Sequence, residues 1–399
     1  MYEQNPGLEK LTYQEQLQFR ANCLVGTADF YSANLRELGH EAEDICVNNE
    51  VLQRTWAREH GVAVGRSWDW NLRLRRGLVP WLSRVPNKSW MYEILAAQIR
   101  HFKPDVLVNL MTSLIPAKFL GEMKPHFRVL IGGGSPVAIL REQEFIAHRQ
   151  VYDVMIAASE GMVDYFRAHG MKAELLRNAF EPRVLSQVNP TQSERFAVNF
   201  TGQLSGGIYS GRRRLLETLC SKMGKDMHVW ATRLDDVAVD SPIRACYEGH
   251  AWGTQFYRIL SASRIALNCH ADIDSEYAEN FRLFQATGMS VCLVTDWRAN
   301  LPKIFEVGKE VIAYKNADEC AELVRYYLDH EAERSAIARA GQMRTLRDYT
   351  FRHRAQGLVE IAEKYLKNRT SKTITVSVRG RTKGETCNGR PEIHSTEMA

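Results

Sequence analysis

The chain has 399 residues, 45% of them hydrophobic and 25% charged, with a formal net charge of +5. That length accommodates two ordinary domains, and that composition belongs to a soluble globular protein rather than a disordered or fibrous one. No run of about 18 apolar residues occurs and the polar start MYEQNPGLEK lacks an apolar core, so neither a transmembrane helix nor a signal peptide is expected.

Eight cysteines stand at positions 23, 46, 220, 246, 269, 292, 320 and 387 with no C-x-x-C pair. The pattern implies reduced, mostly buried thiols and a cytoplasmic location. Charge gathers at the end of the chain, where the residues from Lys367 onward carry seven Lys/Arg against three Asp/Glu. The near-neutral body lacks the concentrated basic face that nucleic-acid binding requires.

In chain order, the first distinctive segment is RSWDWNLRLRRGLVPWLSRVPNKSW at 66–90, which mixes tryptophans with arginines. It suits a helix whose aromatics pack inward while arginines snorkel out, the reading preferred here, or a segment lying on a membrane surface or against a lipid-linked acceptor. Apolar β-rich runs then recur at 106–110, 129–131, 154–158, 197–202, 227–232, 264–270, 290–296 and 310–315. Near-continuous apolar strands alternating with helices predict an α/β fold of parallel sheets covered on both faces. IGGGSP at 131–136 is either a close-approach loop or a plain turn. The polar stretch SQVNPTQSERF at 186–196 reads as a linker between domains 1–190 and 191–350.

FTGQLSGGIYSGRRRLLETL at 200–219 predicts a strand ending at Gly202, a glycine-rich loop, and a helix from about Ser210. Glycines let backbone N–H groups approach a phosphate. Arg212, Arg213 and Arg214 oppose the helix dipole, so they either meet phosphate oxygens or mark a solvated helix start. In LNCHADIDSEYAENF at 267–281, Asn268 and His270 close a strand, at the end where ligands of open α/β sheets bind. His270 is there either for the site or for structure. Asp272, Asp274 and Glu276 have no recognisable metal-ligand spacing and read as a solvated acidic loop, so no metal is expected.

The most informative segment is ENFRLFQATGMSVCLVTDW at 279–297. Asn280 is a favoured N-cap, whereas Arg282 in the first turn has the wrong sign for the helix dipole unless an anion docks there. A short helix ending at Gly288 and a buried strand ending in Thr295-Asp296 make half of a Rossmann-like nucleotide site. Further on, Asn316 and Glu319 form a capping-box pair, with Cys320, Val324, Tyr327 and Leu328 on one helix face. Residues 351–367 form an amphipathic last helix. The polar tail 368–399 is expected to be disordered, apart from TITVSV at 373–378, which could pair as an edge strand. No G-x-G-x-x-G with a following acid supports NAD binding.

Asn280, Arg282, Leu283, Phe284, Gln285, Ala286, Gly288, Leu293, Thr295 and Asp296 follow the pattern N-x-R-L-F-E-A-x-G-x-x-x-L-x-T-D. In it the chain resembles GT-B-fold nucleotide-sugar glycosyltransferases of the spore-maturation (CgeB-like) and group 1 types. It departs at Gln285, where that family has a Glu for the donor ribose, and at Tyr277, where the E-x7-E family has its other acid. The resemblance implies two Rossmann-like domains facing a cleft, a crossover helix at 351–367, and a donor held by Gly202, Arg212, Asn280, Arg282, Leu283 and Gln285. It also implies a catalytic role for His270. The segment 23–49 resembles the family's opening strand, loop and helix; Asp29 there is either the general base or a cap on the helix of Tyr31, Leu35 and Leu38. The implied co-substrate is a nucleotide-diphosphate sugar, with no cofactor, no metal and no nucleic acid. The acceptor is a glycan, lipid-linked glycan, protein or small molecule, and peripheral membrane contact is open. Arg212→Ala is expected to cost at least about tenfold in activity with little loss of stability. A non-catalytic nucleotide-sugar-binding scaffold is the alternative, motivated by the missing acids at 277 and 285.

Overall fold

The computed structural model describes residues 1–3, 5–75, 79–134, 150–188, 195–273 and 276–378; for 71–75, 79–82 and 368–378 it describes the backbone. The first two strands, β1 (Trp68–Arg75) and β2 (Val79–Pro86), pair antiparallel as a ribbon that forms its own sheet. This corrects the helix expected at 66–90. Trp68, Trp70, Leu72 and Leu74 alternate with polar residues at a period of two, which is the repeat of a strand.

The first parallel sheet holds β3 (Val106–Asn109), β4 (Val129–Gly134), β5 (Val154–Ala157) and β6 (Ala173–Leu175) in the order β3-β4-β5-β6. The second holds β7 (Phe196–Thr201), β8 (Met227–Trp230), β9 (Ser263–Asn268), β10 (Cys292–Asp296) and β11 (Ile312–Tyr314) in the order β11-β10-β9-β7-β8, again all parallel. Alternation divides its strands between two cores. Val198, Phe200, Ile265, Leu267 and Val294 pack with Leu215, Leu216 and Leu219 of the helix Ser210–Met223 on one face. Ala266, Val291 and Leu293 pack with Leu283 and Phe284 of the helix Phe281–Gly288 on the other. Each large apolar side chain buried this way contributes about 1.5–3 kcal/mol relative to an exposed one.

The second core also takes in Leu24, Ala28 and Phe30 from the N-terminal side, and Phe180 and Val184 from the connection between the sheets. The last helix, Phe351–Val378, crosses back: Leu358, Ile361 and Tyr365 pack on Val129, Ile131, Val154 and Ile156 of the first sheet. The two crossing segments are stitched where the Phe180 N–H donates to the Tyr349 carbonyl at 2.9 Å and the Phe351 N–H donates to the Phe180 carbonyl at 2.9 Å. Gly288 lies against the Phe180 ring, where a Cβ would collide.

Other sequence expectations meet specific outcomes. The segment 23–49 has no opening strand: a turn with left-handed Leu24, Gly26 and Ala28 leads into the helix Phe30–Glu37, and left-handed residues cannot continue an extended strand. TITVSV at 373–378 is helical, because elongating an existing helix is cheap even through β-branched residues. Asn316 caps its helix through the Glu319 N–H at 3.0 Å, but the Glu319 carboxylate accepts from Lys315 N–H at 2.7 Å, one residue before the cap. Of the expected linker, 189–194 lie outside the described residues, as do Ser135 and Pro136 of IGGGSP and the tail 379–399. The seven described cysteines are free thiols. Among the described residues no helix is long and apolar enough to cross a membrane.

Candidate functional site

From β7 the chain goes to β8 on one side and returns to β9 on the other, so the carboxyl ends of β7 and β9 open a crevice at the switch point. A cavity of about 330 Å³ lies there. Thr201, Gly202 and Gln203 after β7, Trp230 after β8, Phe256 and Tyr257 of the helix Gly253–Ser261, and Arg282 and Gln285 form its wall. Leu24 and Gly26 close it from the N-terminal side.

Arg282 is the charge in this wall. Its Nη2 donates to the Thr201 carbonyl at 2.6 Å and its Nη1 to Gln285 Oε1 at 3.4 Å, and the guanidinium lies over the Phe256 ring at 4.2 Å. Burial pulls its pKa down to about 9, with Arg212 nearby adding to the effect, so it remains a cation at neutral pH. It forms no ion pair with any carboxylate among the described residues. Gln285 Nε2 reaches toward the Tyr257 hydroxyl at 3.5 Å, and burial pushes that phenol up to about 12, so it stays protonated and able to donate.

Arg212 behaves differently. It is 8% exposed. Its Nε and Nη2 donate to the Cys269 carbonyl at 3.1 and 2.5 Å, and its Nη1 donates to the Gln203 carbonyl at 2.8 Å. The guanidinium thus laces the loop after β7 to the end of β9. The start of its helix already holds an anion, since Asp272 accepts from Ser210 Oγ at 2.9 Å and from Gly211 N–H at 2.7 Å. Asp272 is therefore a capping residue. Among the described residues no His, Cys, Asp and Glu cluster suits a metal, and Asp274 lies outside them.

Gly202 stands where a Cβ would press on the Phe200 ring at 2.9 Å, and its N–H donates to the Trp230 carbonyl at 3.0 Å. Asn280 caps the helix through the Leu283 N–H, and its Nδ2 donates to Asn268 Oδ1 at 2.9 Å. Asn268 in turn donates to Thr295 Oγ1 at 2.9 Å. His270 is 5% exposed and both ring nitrogens are engaged: Nδ1 with Asp296 at 2.7 Å and Nε2 accepting from the Glu279 N–H at 3.3 Å. Burial alone would raise the Asp296 carboxyl, but His270 and Arg298 hold it well below the usual carboxylate range. This network orients the N-terminal end of the helix that carries Arg282.

Of the expected site residues, Gly202, Arg282 and Gln285 line the cavity, whereas Asp29, Arg212, His270, Asn280 and Leu283 do not. Leu283 is fully buried in the core, because it sits on the inner face of its helix. Asp29 opens onto a separate groove of about 540 Å³ and accepts from Arg183 at 3.0 Å; it stands at the N-cap of its helix without bonding a helical N–H. Sequence reasoning missed Phe256, Tyr257 and Trp252. Trp252-Gly253 ahead of the apolar run FYRIL was the available signal. Gly253 has φ +55°, its Cβ would collide with the Cys23 carbonyl, and the next N–H, of Thr254, donates to that carbonyl at 3.1 Å. This contact fastens the 23–26 segment over the cavity.

Residues 212–360 match the family described as glycosyl transferase-like. No curated protein matches the chain. Among solved structures, a glycosyltransferase from Rickettsia africae is similar with a TM-score of 0.54 at 10% identity, covering 86% of this chain and 96% of that one. HepE of Anabaena in complex with UDP and glucose gives 0.52 at 12% identity, covering 68% and 81%. Sucrose-phosphate synthase from Thermosynechococcus elongatus gives 0.50 at 10% identity, covering 76% and 86%. In fold the chain is similar to GT-B glycosyltransferases, and residues 212–360 match the glycosyl transferase-like family.

Proposed function

We propose that the protein moves a sugar from a nucleotide-diphosphate donor, held in the switch-point cavity, to a hydroxyl acceptor approaching from the N-terminal domain. The observation that carries this reading is Arg282, a partly buried cation in the cavity wall without a carboxylate partner among the described residues. Such a charge is costly unless an anion meets it, and a diphosphate offers several charged oxygens. In the reaction the acceptor oxygen bonds to the anomeric carbon while the bond from that carbon to the diphosphate oxygen breaks. The transition state has oxocarbenium character. Arg282 stabilises the departing diphosphate as preorganised positive charge. His270 and Asp29 are committed to Asp296 and Arg183, so the departing phosphate oxygen takes the acceptor proton.

HepE, a structure of the same fold, was solved with UDP and glucose, which supports a uridine nucleotide as the first donor to test. The 280–296 segment supports the CgeB-like type, and the free cysteines fit a reducing cytoplasm. The test is thermal stability with UDP, GDP, ADP, CMP, UDP-sugars and NAD, because a ligand that binds only the folded state raises the melting temperature. Selective stabilisation by one nucleoside diphosphate is expected. A response to NAD alone, or to nothing, overturns the reading. Gln285 and Tyr277, in place of the family's acids, favour a second reading as a binding scaffold. Donor binding without turnover on any hydroxyl acceptor, or by hydrolysis, would select it.

A further inference from the structure

We propose that the β1–β2 ribbon is a docking arm that lays one face on an anionic lipid bilayer. The register places Trp68, Trp70, Leu72 and Leu74 opposite Pro86, Arg84, Leu82 and Pro80. Alternate residues of a strand share a face, so this face carries two tryptophans, three leucines, two prolines and Arg84 as its charged member. The other face carries Asp69, Asn71, Arg73 and Arg75 opposite Val85, Ser83, Trp81 and Val79.

Among the described residues no third strand joins the ribbon. An isolated two-stranded ribbon is marginal in water, so an apolar face of this kind calls for a cover. Where side chains are described, the face is open: Trp70 is 52% exposed. Trp68 and Trp70 meet edge to face at 5.3 Å, and the Arg84 guanidinium lies over both rings, at 4.4 and 5.3 Å. Arg66 lies over Trp68 at 5.6 Å. Indole rings paired with cations suit the headgroup zone, where the ring is half apolar and the charge stays wet.

Charge selects the kind of surface. The sequence from Arg66 to Pro86 has five arginines and one aspartate, so this short piece is locally basic within a near-neutral body. Anionic headgroups complement it. The arm is anchored at its base: the Asn87 N–H donates to the Ser67 carbonyl at 2.8 Å, Asn87 Nδ2 to Asp69 at 2.8 Å, and Arg54 of the helix Glu50–Glu59 to Ser67 Oγ at 2.8 Å. Docking would therefore hold the N-terminal domain against the bilayer. This inference stands apart from the donor site.

The test is co-sedimentation of the full chain with vesicles of phosphatidylcholine alone and of phosphatidylcholine with phosphatidylglycerol. Binding to the anionic vesicles is expected, and high salt should release it. Trp70→Ser and Arg84→Glu should each lower the partition at least about fivefold, with the melting temperature and UDP affinity unchanged. The basic segment 379–399 is present in every form, so its contribution cancels. Equal partition of wild type and variants, or no binding to anionic vesicles, overturns the proposal; so does a preference for single-stranded or duplex nucleic acid. On the wild-type protein, quenching of tryptophan emission by brominated acyl chains is an independent readout, and its absence likewise overturns the proposal.

Discussion

Replacing Arg282 by Met keeps the length and apolar stem of the side chain and removes its charge. A cation about 4 Å from a phosphate charge gains about 4 kcal/mol at an effective dielectric of 20, before desolvation is subtracted. The net value of a charge-assisted hydrogen bond is smaller, about 1.5–3 kcal/mol. On the smaller figure, affinity for a nucleoside diphosphate should fall roughly 10- to 150-fold. Affinity for the nucleoside alone should not change. The effect on stability runs the other way. The folded pKa of Arg282, about 9, lies below its ordinary value, so the unfolded chain holds this proton more tightly. Charged Arg282 therefore opposes folding fully below about pH 9, and the penalty fades as pH rises through the folded pKa. Met removes that penalty but loses the bond to the Thr201 carbonyl and the stack on Phe256. These terms offset, so urea unfolding should place the variant within about 1 kcal/mol of wild type. Calorimetry with UDP and uridine, beside urea unfolding, measures both effects. UDP affinity within about twofold of wild type would refute the argument.

Other outcomes follow from the same geometry. Arg212→Ala strips charged donors from the Cys269 and Gln203 carbonyls, so it should cost about 2–4 kcal/mol in urea unfolding; the sequence alone led to the expectation of little loss of stability, and an unchanged midpoint would favour that expectation. Asp296 has a depressed folded pKa, so its contribution is present above the unfolded value near about 4 and is lost as pH falls through the lower folded pKa. Asp296→Asn should accordingly flatten the fall in stability below about pH 4, as read from unfolding free energy against pH. Gly253→Ala adds left-handed strain of about 1–2 kcal/mol and a collision with the Cys23 carbonyl. Hydrogen exchange should then show faster opening of residues 23–26, and unchanged protection there would count against the fastening contact.

The strands of both sheets other than β6 were legible as short apolar runs, whereas β6 (Ala173–Leu175) is only Ala-Glu-Leu and left no such mark. The start of the helix at 281 was legible too, since Asn280 bonds the Leu283 N–H, a partner three residues away. The final helix was readable as far as about Lys367, but its continuation through TITVSV was not, because local propensity there opposes an outcome set by cooperativity. The ribbon at 68–86 was misread although WDWNLRLR alternates at period two; clustered Trp and Arg suit either amphipathic structure, and pairing with β2 decided between them. What the sequence could not say was which arginine is spent and which is available. Arg212 and Arg282 look alike, each in the first turn of a helix after a loop. Arg212 is tied to Cys269, 57 residues away, whereas Arg282 holds one carbonyl, 81 residues away, and turns its charge to the cavity. Those partners lie at the ends of neighbouring parallel strands, and parallel strands come from distant parts of the chain, so only the tertiary structure decides them.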